Sequence, residues 1–255
     1  MALTDKLTAI ADAIRAKTGK SDAMSLEQMV IEVAGIEGGG GDESVLASIL
    51  DRSIEEVKWS NITVIGEYGL YKCKNITKIE LPNLTIIGNY GMNSCSALKE
   101  VSAPKLTRLE NYALIGTAIE ELDLPSIEYV GTRALQNVKT VRRVKFGALQ
   151  QIGNQWANGC TELKVVWFPT NGVIGVENYA GCTSLDTLVL GKTESIVTMM
   201  NVNSFTGTPF ASGGTGGTVY VPQALISEYQ NATNWSTLYA AGTCNFVAIE
   251  GSEYE

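Results

Sequence analysis

Four of the five cysteines recur at one spacing, and this spacing limits the chemistry open to them. Thiols that repeat in this way could form disulfides or a thiolate metal site, but zinc chelation normally uses C-x-x-C pairs and the sequence contains none. Thr117 and Val138 fall on the same 22-residue spacing, and a position that accepts Cys or Val is typical of a small buried site. We therefore predict a buried row of thiols, with disulfides and a thiolate metal site as the alternatives. The row contains Cys73, Cys95, Cys160 and Cys182.

Histidine is absent from all 255 residues. Its absence excludes Ser-His-Asp and Cys-His mechanisms, histidine proton shuttling and histidine-ligated metals. The carboxylates do not form a recognisable catalytic pair, so a hydrolase acting on cell-wall polymers is the weakest interpretation. The sequence predicts no enzymatic activity, no bound metal and no cofactor.

The overall charge and hydropathy restrict the partners. The net charge is −8 and the pI is near 4.8, so the general field repels phosphate, and neither nucleic acid nor an anionic membrane surface is expected as a partner. No run of about 18 apolar residues is present, so no membrane span is expected. Charged residues such as Asp5 and Lys6 interrupt the amino-terminal apolar stretch. We expect cytoplasmic synthesis without a signal peptide, or a place at the cell surface if a signal has been removed.

One sequence unit recurs through most of the chain. IGEYGLYKCKNITKIELP at residues 65–82 returns in altered form at intervals of 22, 22, 21, 22 and 22 residues. A fixed period of this length is the signature of a solenoid, in which each turn buries its apolar face against the next. The units begin at Ile65, Ile87, Leu109, Val130, Ile152 and Ile174.

Each unit predicts one short strand and two punctuating residues. Apolar residues alternate at its end, as in Ile79 and Leu81, which is typical of a strand with one buried face. Stacking the units pairs these strands in parallel. A proline ends most of the strands, and a glycine follows the first apolar residue, where we predict a turn with positive φ. These glycines are Gly66, Gly88, Gly131, Gly153 and Gly175.

Composition divides the chain into three parts. Residues 1–36 have the apolar spacing and capping signals of a helical hairpin, residues 37–42 form a glycine-rich linker, and residues 43–255 form the solenoid. Within the solenoid we assign 45–64 to an amino-terminal cap and half repeat, 65–195 to six repeats, and 196–255 to the last repeat and a cap. The last repeat is predicted to begin at Ile196 and to contain a nine-residue insertion that includes Ser212–Gly217. The hairpin either packs on the solenoid or joins copies of the chain into a homo-oligomer.

Two rows of residues remain for recognition. The first consists of the outward residues of the strands, where acidic Glu121 and Asp123 precede basic Arg143 and Lys145 and then Trp167. These residues form either ordinary cross-strand ion pairs or a binding face centred on the Arg, Lys and Trp side chains. The second row is an aromatic one, interpreted as a structural stack or as a carbohydrate platform. It consists of Tyr68, Tyr90 and Tyr112.

The repeated unit h-G-x-x-x-x-x-x-C-x-x-L-x-x-h-x-h-P, together with the ending VYVPQALISEYQNATNW, resembles the BspA-like bacterial leucine-rich repeats over residues 45–250. The resemblance implies a leucine-rich repeat solenoid with a parallel strand ladder, mostly β, behind a short amino-terminal α-helical hairpin. It also implies an adhesion or recognition role.

Residues Leu7–Ile36 resemble a short module near the start of phage and prophage tail-associated proteins of Gram-positive bacteria. The two resemblances together imply a non-enzymatic recognition or structural protein of a phage or prophage tail that binds a host-surface glycan or protein. The alternative is a bacterial leucine-rich repeat adhesion or protein-interaction module unrelated to phage.

Overall fold

The computed structural model of the protein describes residues 52–168, 172–191 and 194–255. The predicted hairpin at 1–36 and the linker at 37–42 lie outside the described residues, as does Pro169.

Two rows of short parallel strands build the solenoid, and each repeat contributes one strand to each row. The strands of the first row, called the long-strand row, are β1 Glu56–Lys58, β3 Lys78–Glu80, β5 Glu100–Ser102, β7 Glu121–Leu124, β9 Arg143–Phe146, β11 Val165–Trp167, β13 Thr187–Val189, β15 Gly217–Val221 and β16 Cys244–Ala248. They pair in the order β1-β3-β5 and, separately, β7-β9-β11-β13-β15-β16, and the break between the two groups falls where the third repeat is one residue shorter.

The second row lies on the first apolar residue of each repeat and was not predicted as strand. It pairs β2-β4-β6-β8-β10, and separately β12-β14. Its two-residue strands are too short for a periodicity of two to be visible in the sequence. They are β2 Val64–Ile65, β4 Ile86–Ile87, β6 Arg108–Leu109, β8 Tyr129–Val130, β10 Gln151–Ile152, β12 Val173–Ile174 and β14 Thr198–Met199.

The predicted alternation of buried and exposed residues in the long-strand row is confirmed. In β7 and β9 the burial pattern is exposed, buried, exposed, buried, so Leu122 and Leu124 point inward while Glu121 and Asp123 face solvent. The inward residues of successive repeats form one continuous apolar core. The first row of strands therefore presents one outward side chain on either side of each buried one.

The prediction of positive φ at the repeat glycines is wrong. None of them is in the left-handed region, and close packing against the backbone of the preceding repeat explains Gly88, Gly131 and Gly153 instead. A Cβ on Gly153 would lie 2.3 Å from the backbone N of Thr132, and one on Gly131 would lie 2.5 Å from the backbone N of Asn111. Such contacts are shorter than real Cβ atoms allow, so glycine is required because the neighbouring backbone approaches too closely for a side chain.

Positive φ occurs instead three residues after the first apolar position of each unit. This position holds large side chains, although the left-handed region normally favours glycine or asparagine. The residues are Tyr68, Tyr90, Tyr112, Arg133, Gln155 and Glu177, with φ between 52° and 59°.

The start of the last repeat also differs from the prediction. Ile174 pairs with Met199, not with Ile196, so three extra residues precede β14. Thr187 pairs with Thr218, 31 residues later, which agrees with a total insertion of nine. The extra residues are thus divided between two loops, and the sequence alone does not reveal the division because the total is unchanged.

Short helices follow β14 and β15. A 3-10 helix at Val202–Phe205 precedes β15, and a second one at Gln223–Leu225 leads into α1, Ile226–Asn231. The second α-helix, α2, spans Trp235–Ala240, and its Trp235 Nε1 donates to the carbonyl of Val197 at 2.7 Å. Among the described residues, no helix is long and apolar enough to cross a bilayer.

Candidate functional site

The cysteine row is buried and its thiols are free. Cys95 Sγ donates to the carbonyl of Leu70 at 3.0 Å, and Cys160 Sγ donates to that of Leu135 at 3.1 Å. Burial raises the pKa of Cys73 to about 11 and that of Cys95 to about 12, so these thiols stay protonated near neutral pH. The row therefore stabilises contacts between repeats and offers no nucleophile. In the part of the chain described, no group of His, Cys, Asp or Glu is placed to hold a metal ion.

The tyrosine row forms a stack. The rings of Tyr68 and Tyr90 are 4.9 Å apart and 6° from parallel, and those of Tyr90 and Tyr112 are 4.8 Å apart and 5° from parallel. The guanidinium of Arg133 lies 6.0 Å from the Tyr112 ring and donates to Gln155 Oε1 at 2.6 Å. Because each ring face meets its neighbour, a sugar has no open face of Tyr90 on which to stack. This geometry favours the structural interpretation over a carbohydrate platform.

The outward residues of the long-strand row form a continuous surface, called the strand face below. Its residues lie in register within β1-β3-β5 and again from β7 to β16, and they change from charged to uncharged along the solenoid. The pairs are Glu56 and Lys58, Lys78 and Glu80, Glu100 and Ser102, Glu121 and Asp123, Arg143 and Lys145, Val165 and Trp167, Thr187 and Val189, Thr218 and Tyr220, and Asn245 and Val247.

The predicted charge neighbours meet in register but do not pair. Glu121 lies opposite Arg143, and Asp123 lies opposite Lys145. Within the described residues, none of the four takes part in an ion pair within 4.0 Å, whereas Lys78 Nζ contacts Glu80 at 2.9 Å and Glu100 at 3.1 Å. The strand face thus keeps both acidic and basic groups available to a partner.

A shallow depression of about 490 Å³ lies on the acidic half of the strand face. Four carboxylates line it, those of Glu80, Glu100, Glu121 and Asp123, together with Lys78. The depression is followed along the solenoid by Arg143 and Lys145, so acidic and basic groups lie on successive strands. This arrangement suits a partner with complementary charges better than a buried small molecule.

Trp167 is not the open centre that the sequence led us to expect. The guanidinium of Arg143 lies 5.2 Å from its ring, as a cation–π contact requires. The ring of Tyr254 packs against it at 5.5 Å and against Tyr220 at 4.6 Å. This contact could not be predicted from the repeat, because Tyr254 lies beyond the last repeat and has no counterpart at the 22-residue period.

The environment of Tyr254 agrees with partial removal from water. Burial, and next the carboxylate of Glu253, raise the pKa of its phenol, while Arg143 opposes the shift. Two outward residues of this half of the strand face are buried, since Val165 is 9% exposed and Val189 is 2% exposed. The outward residues around them, Trp167, Thr187, Thr218 and Tyr220, are half-buried, and Asn245 is exposed.

Two solved structures are similar to this chain. The chain is similar to the crystal structure of a T. pallidum leucine rich repeat protein, with a TM-score of 0.49, 19% identity and coverage of 58% of this chain and 70% of that one. It is also similar to the pneumococcal vaccine antigen PcpA, with a TM-score of 0.44, 15% identity and coverage of 76% of this chain and 41% of that one. A comparison with curated proteins gives no match.

The family of BspA type leucine rich repeat regions matches in six copies, over residues 51–142 and 104–212. These ranges cover more than half of the sequence and contain the cysteine row and most of the strand face. The chain therefore belongs to the BspA-type leucine-rich repeat family.

Proposed function

We propose that this protein is a non-enzymatic recognition module that binds another protein through the strand face. The observation that supports the proposal is the row of charges at Glu121, Asp123, Arg143 and Lys145, which β7 and β9 hold in register and which form no ion pair with any other described residue. Fixed strands present these side chains without a large cost of ordering, and unpaired charges of both signs give specificity toward a complementary surface. A protein partner is favoured over a glycan because the tyrosine stack offers no open ring face at Tyr90.

Charge reversal on the strand face tests this proposal. The double variant Arg143→Glu and Lys145→Glu should bind intact Gram-positive cells about tenfold more weakly than the unchanged protein. It removes two cationic contacts with the partner, and such contacts are strong where the interface excludes water. The matched control is Lys74→Glu and Lys139→Glu, which makes the same change of charge at exposed positions outside the strand face.

Protease treatment of the cells separates the two kinds of partner. Loss of binding after treatment supports a protein partner, whereas binding that survives treatment identifies a glycan. Equal weakening by the face variant and by the control variant would show that the strand face is not the binding surface.

We further propose that the protein is associated with a phage or prophage tail and reaches its target as part of the particle. The support is the resemblance of Leu7–Ile36 to a tail-associated module. Mass spectrometry of particles purified after induction of the source bacterium tests this. The chain should be present in stoichiometric amounts with tail proteins. Its absence from the particles would contradict the tail proposal and favour the alternative, a bacterial adhesion or protein-interaction module.

A further inference from the structure

Tyr254 packs against two outward rings of the strand face, those of Trp167 and Tyr220. Trp167 and Tyr220 belong to β11 and β15, with β13 between them, and Val189 pairs with both in register. Tyr254 thus packs against the rings that border Val189 on both sides. This explains why Val189 is only 2% exposed although it points outward from the sheet. The strand face thus contains a recess for one aromatic ring.

The segment that bears Tyr254 has few other connections to the solenoid. Ile249 is held firmly, with its N–H donating to the carbonyl of Val221 at 2.9 Å. Beyond it, Gly251 N donates to Glu255 Oε2 at 2.8 Å and Ser252 Oγ donates to the carbonyl of Ile249, so these bonds stay within the turn. Glu250 accepts an exposed bond from Gln223 N. A turn attached mainly through one ring belongs to the least stable part of a fold and opens at little cost.

Two cations border the recess, and two carboxylates flank its occupant in the sequence without forming an ion pair with either cation. Arg143 lies against Trp167, and Lys145 is the register partner of Trp167 on the preceding strand. Neither cation takes part in an ion pair within 4.0 Å with another described residue. Tyr254 stands between Glu253 and Glu255 in the sequence. An aromatic side chain with carboxylates on both sides is complementary to a ring recess bordered by two cations.

We propose that Trp167, Tyr220, Val189 and Arg143 form a binding site for a tyrosyl side chain flanked by carboxylates on a partner polypeptide, and that Tyr254 occupies this site until the partner displaces it. The proposal deepens the proposed function, because it names the part of the strand face that opens and the chemistry of the ligand. Because Tyr254 is part of the same chain, it competes for the site at a high effective concentration. Weak ligands are therefore excluded, and a partner binds only if its carboxylate-flanked tyrosine is supported by further contacts elsewhere on the strand face.

The test uses the full chain and the peptide acetyl-GSEYE-amide, which repeats residues 251–255, as the probe. Binding is followed by NMR through the indole N–H signal of Trp167, assigned with Trp167→Phe. Tyr254→Ala should bind the peptide at least about tenfold more tightly than the unchanged protein, because the tethered competitor is gone. Tyr254→Phe keeps the ring and should behave like the unchanged protein. Undisturbed signals from the buried Trp156 and Trp235 show that each variant is folded.

Two further comparisons identify the site. Adding Arg143→Ala to Tyr254→Ala should remove the gain, whereas adding Lys74→Ala should not. The peptide acetyl-GSQYQ-amide should bind more weakly, since it lacks both carboxylates. The proposal is overturned if Tyr254→Ala binds the peptide no better than the unchanged protein, or if binding leaves the Trp167 signal unmoved.

The outcome is separable from that of the proposed function. If cell binding depends on Arg143 and Lys145 but Tyr254→Ala leaves both cell binding and peptide binding unchanged, the recognition proposal stands and the recess is a fixed part of the fold.

Discussion

At the tyrosine positions, the backbone and the side chains favour different residues. Tyr90 has φ of 55°, a conformation that costs a residue other than glycine roughly 1–2 kcal/mol. Its ring stacks on Tyr68 and Tyr112, and aromatic pairs of this kind contribute about 0.5–1.5 kcal/mol each. The two stacks offset the backbone cost, which explains how a large residue is kept where glycine would be the relaxed choice.

This balance predicts an unusual order of stability for two variants of Tyr90. Tyr90→Ala loses the stacks and keeps the strained φ, whereas Tyr90→Gly loses the stacks and relieves the strain. We expect Tyr90→Gly to be more stable than Tyr90→Ala by about 1 kcal/mol in thermal or urea unfolding.

Tyr129 is the control for this comparison, because it lies in β8 with ordinary strand geometry. There the Gly variant should be the less stable of the two, since glycine in a strand has more conformational freedom to lose. If alanine is the better substitute at both positions, the left-handed conformation of Tyr90 has no energetic consequence.

The buried thiols predict a loss of stability at high pH. Burial raises the pKa of Cys95 and of Cys182 from 9.0 to about 12, while the unfolded chain keeps the ordinary value. A raised pKa in the folded state means that stability is fully retained below pH 9 and falls as the pH rises from 9 toward 12. The slope is about 1.4 kcal/mol per pH unit for each such thiol.

Unfolding midpoints measured from pH 7 to pH 11 check this expectation. Cys95→Val with Cys182→Val should reduce the slope above pH 9, and Val138 shows that valine fits this repeat position. An identical slope in the variant would assign the alkaline loss to other groups.

At the scale of the elements, the features that could be predicted from the sequence are those that repeat with the constant period of about 22 residues. The strand face, the thiol row and the tyrosine stack all occur at the predicted residues, because a fixed count places equivalent side chains above one another. Features that depend on contact between backbones, or that lie outside the period, were not predictable. The close approach at Gly153 and the docking of Tyr254 on Trp167 belong to these two groups.

If the repeat glycines are needed for close packing, substitutions at the second position of the repeat should differ in their effect on stability. Gly153→Ala should lower the free energy of unfolding by about 1–3 kcal/mol, because its Cβ would overlap the backbone of Thr132 and successive repeats must separate. Glu110 occupies the equivalent position in the third repeat and tolerates a side chain there. Glu110→Ala should therefore cost less than 1 kcal/mol, mainly the exposed ion pair with Arg108. Thermal unfolding of both variants, followed by circular dichroism, measures the two losses of stability. Equal losses for the two variants would contradict the packing explanation.

The described part of the molecule is a one-dimensional stack of repeats with an atypical carboxyl-terminal end. At the far end, α1, α2 and β16 cover the last repeat, and the turn that bears Tyr254 folds back on the strand face. A repeat array needs such atypical ends to shield its apolar core. The strand face is accordingly asymmetric: the charges of Glu121, Asp123, Arg143 and Lys145 near its middle form no ion pair among the described residues, and Tyr254 packs on Trp167 near its end.

The amino-terminal segment predicts how copies of the molecule associate. If residues 1–36 form a helical hairpin that joins copies, its apolar stripe of Leu7, Ile10 and Ile14 must be buried between chains. Leu7→Asp with Ile14→Asp should then convert an oligomer into a monomer in light scattering, since a buried unpaired carboxylate is strongly unfavourable. Ala9→Asp with Ala16→Asp adds the same charge to the opposite face of the predicted helix and should leave the oligomer intact. If the unchanged protein is a monomer even at high concentration, packing of the hairpin on its own solenoid is favoured instead. Each molecule would then present one strand face to a partner.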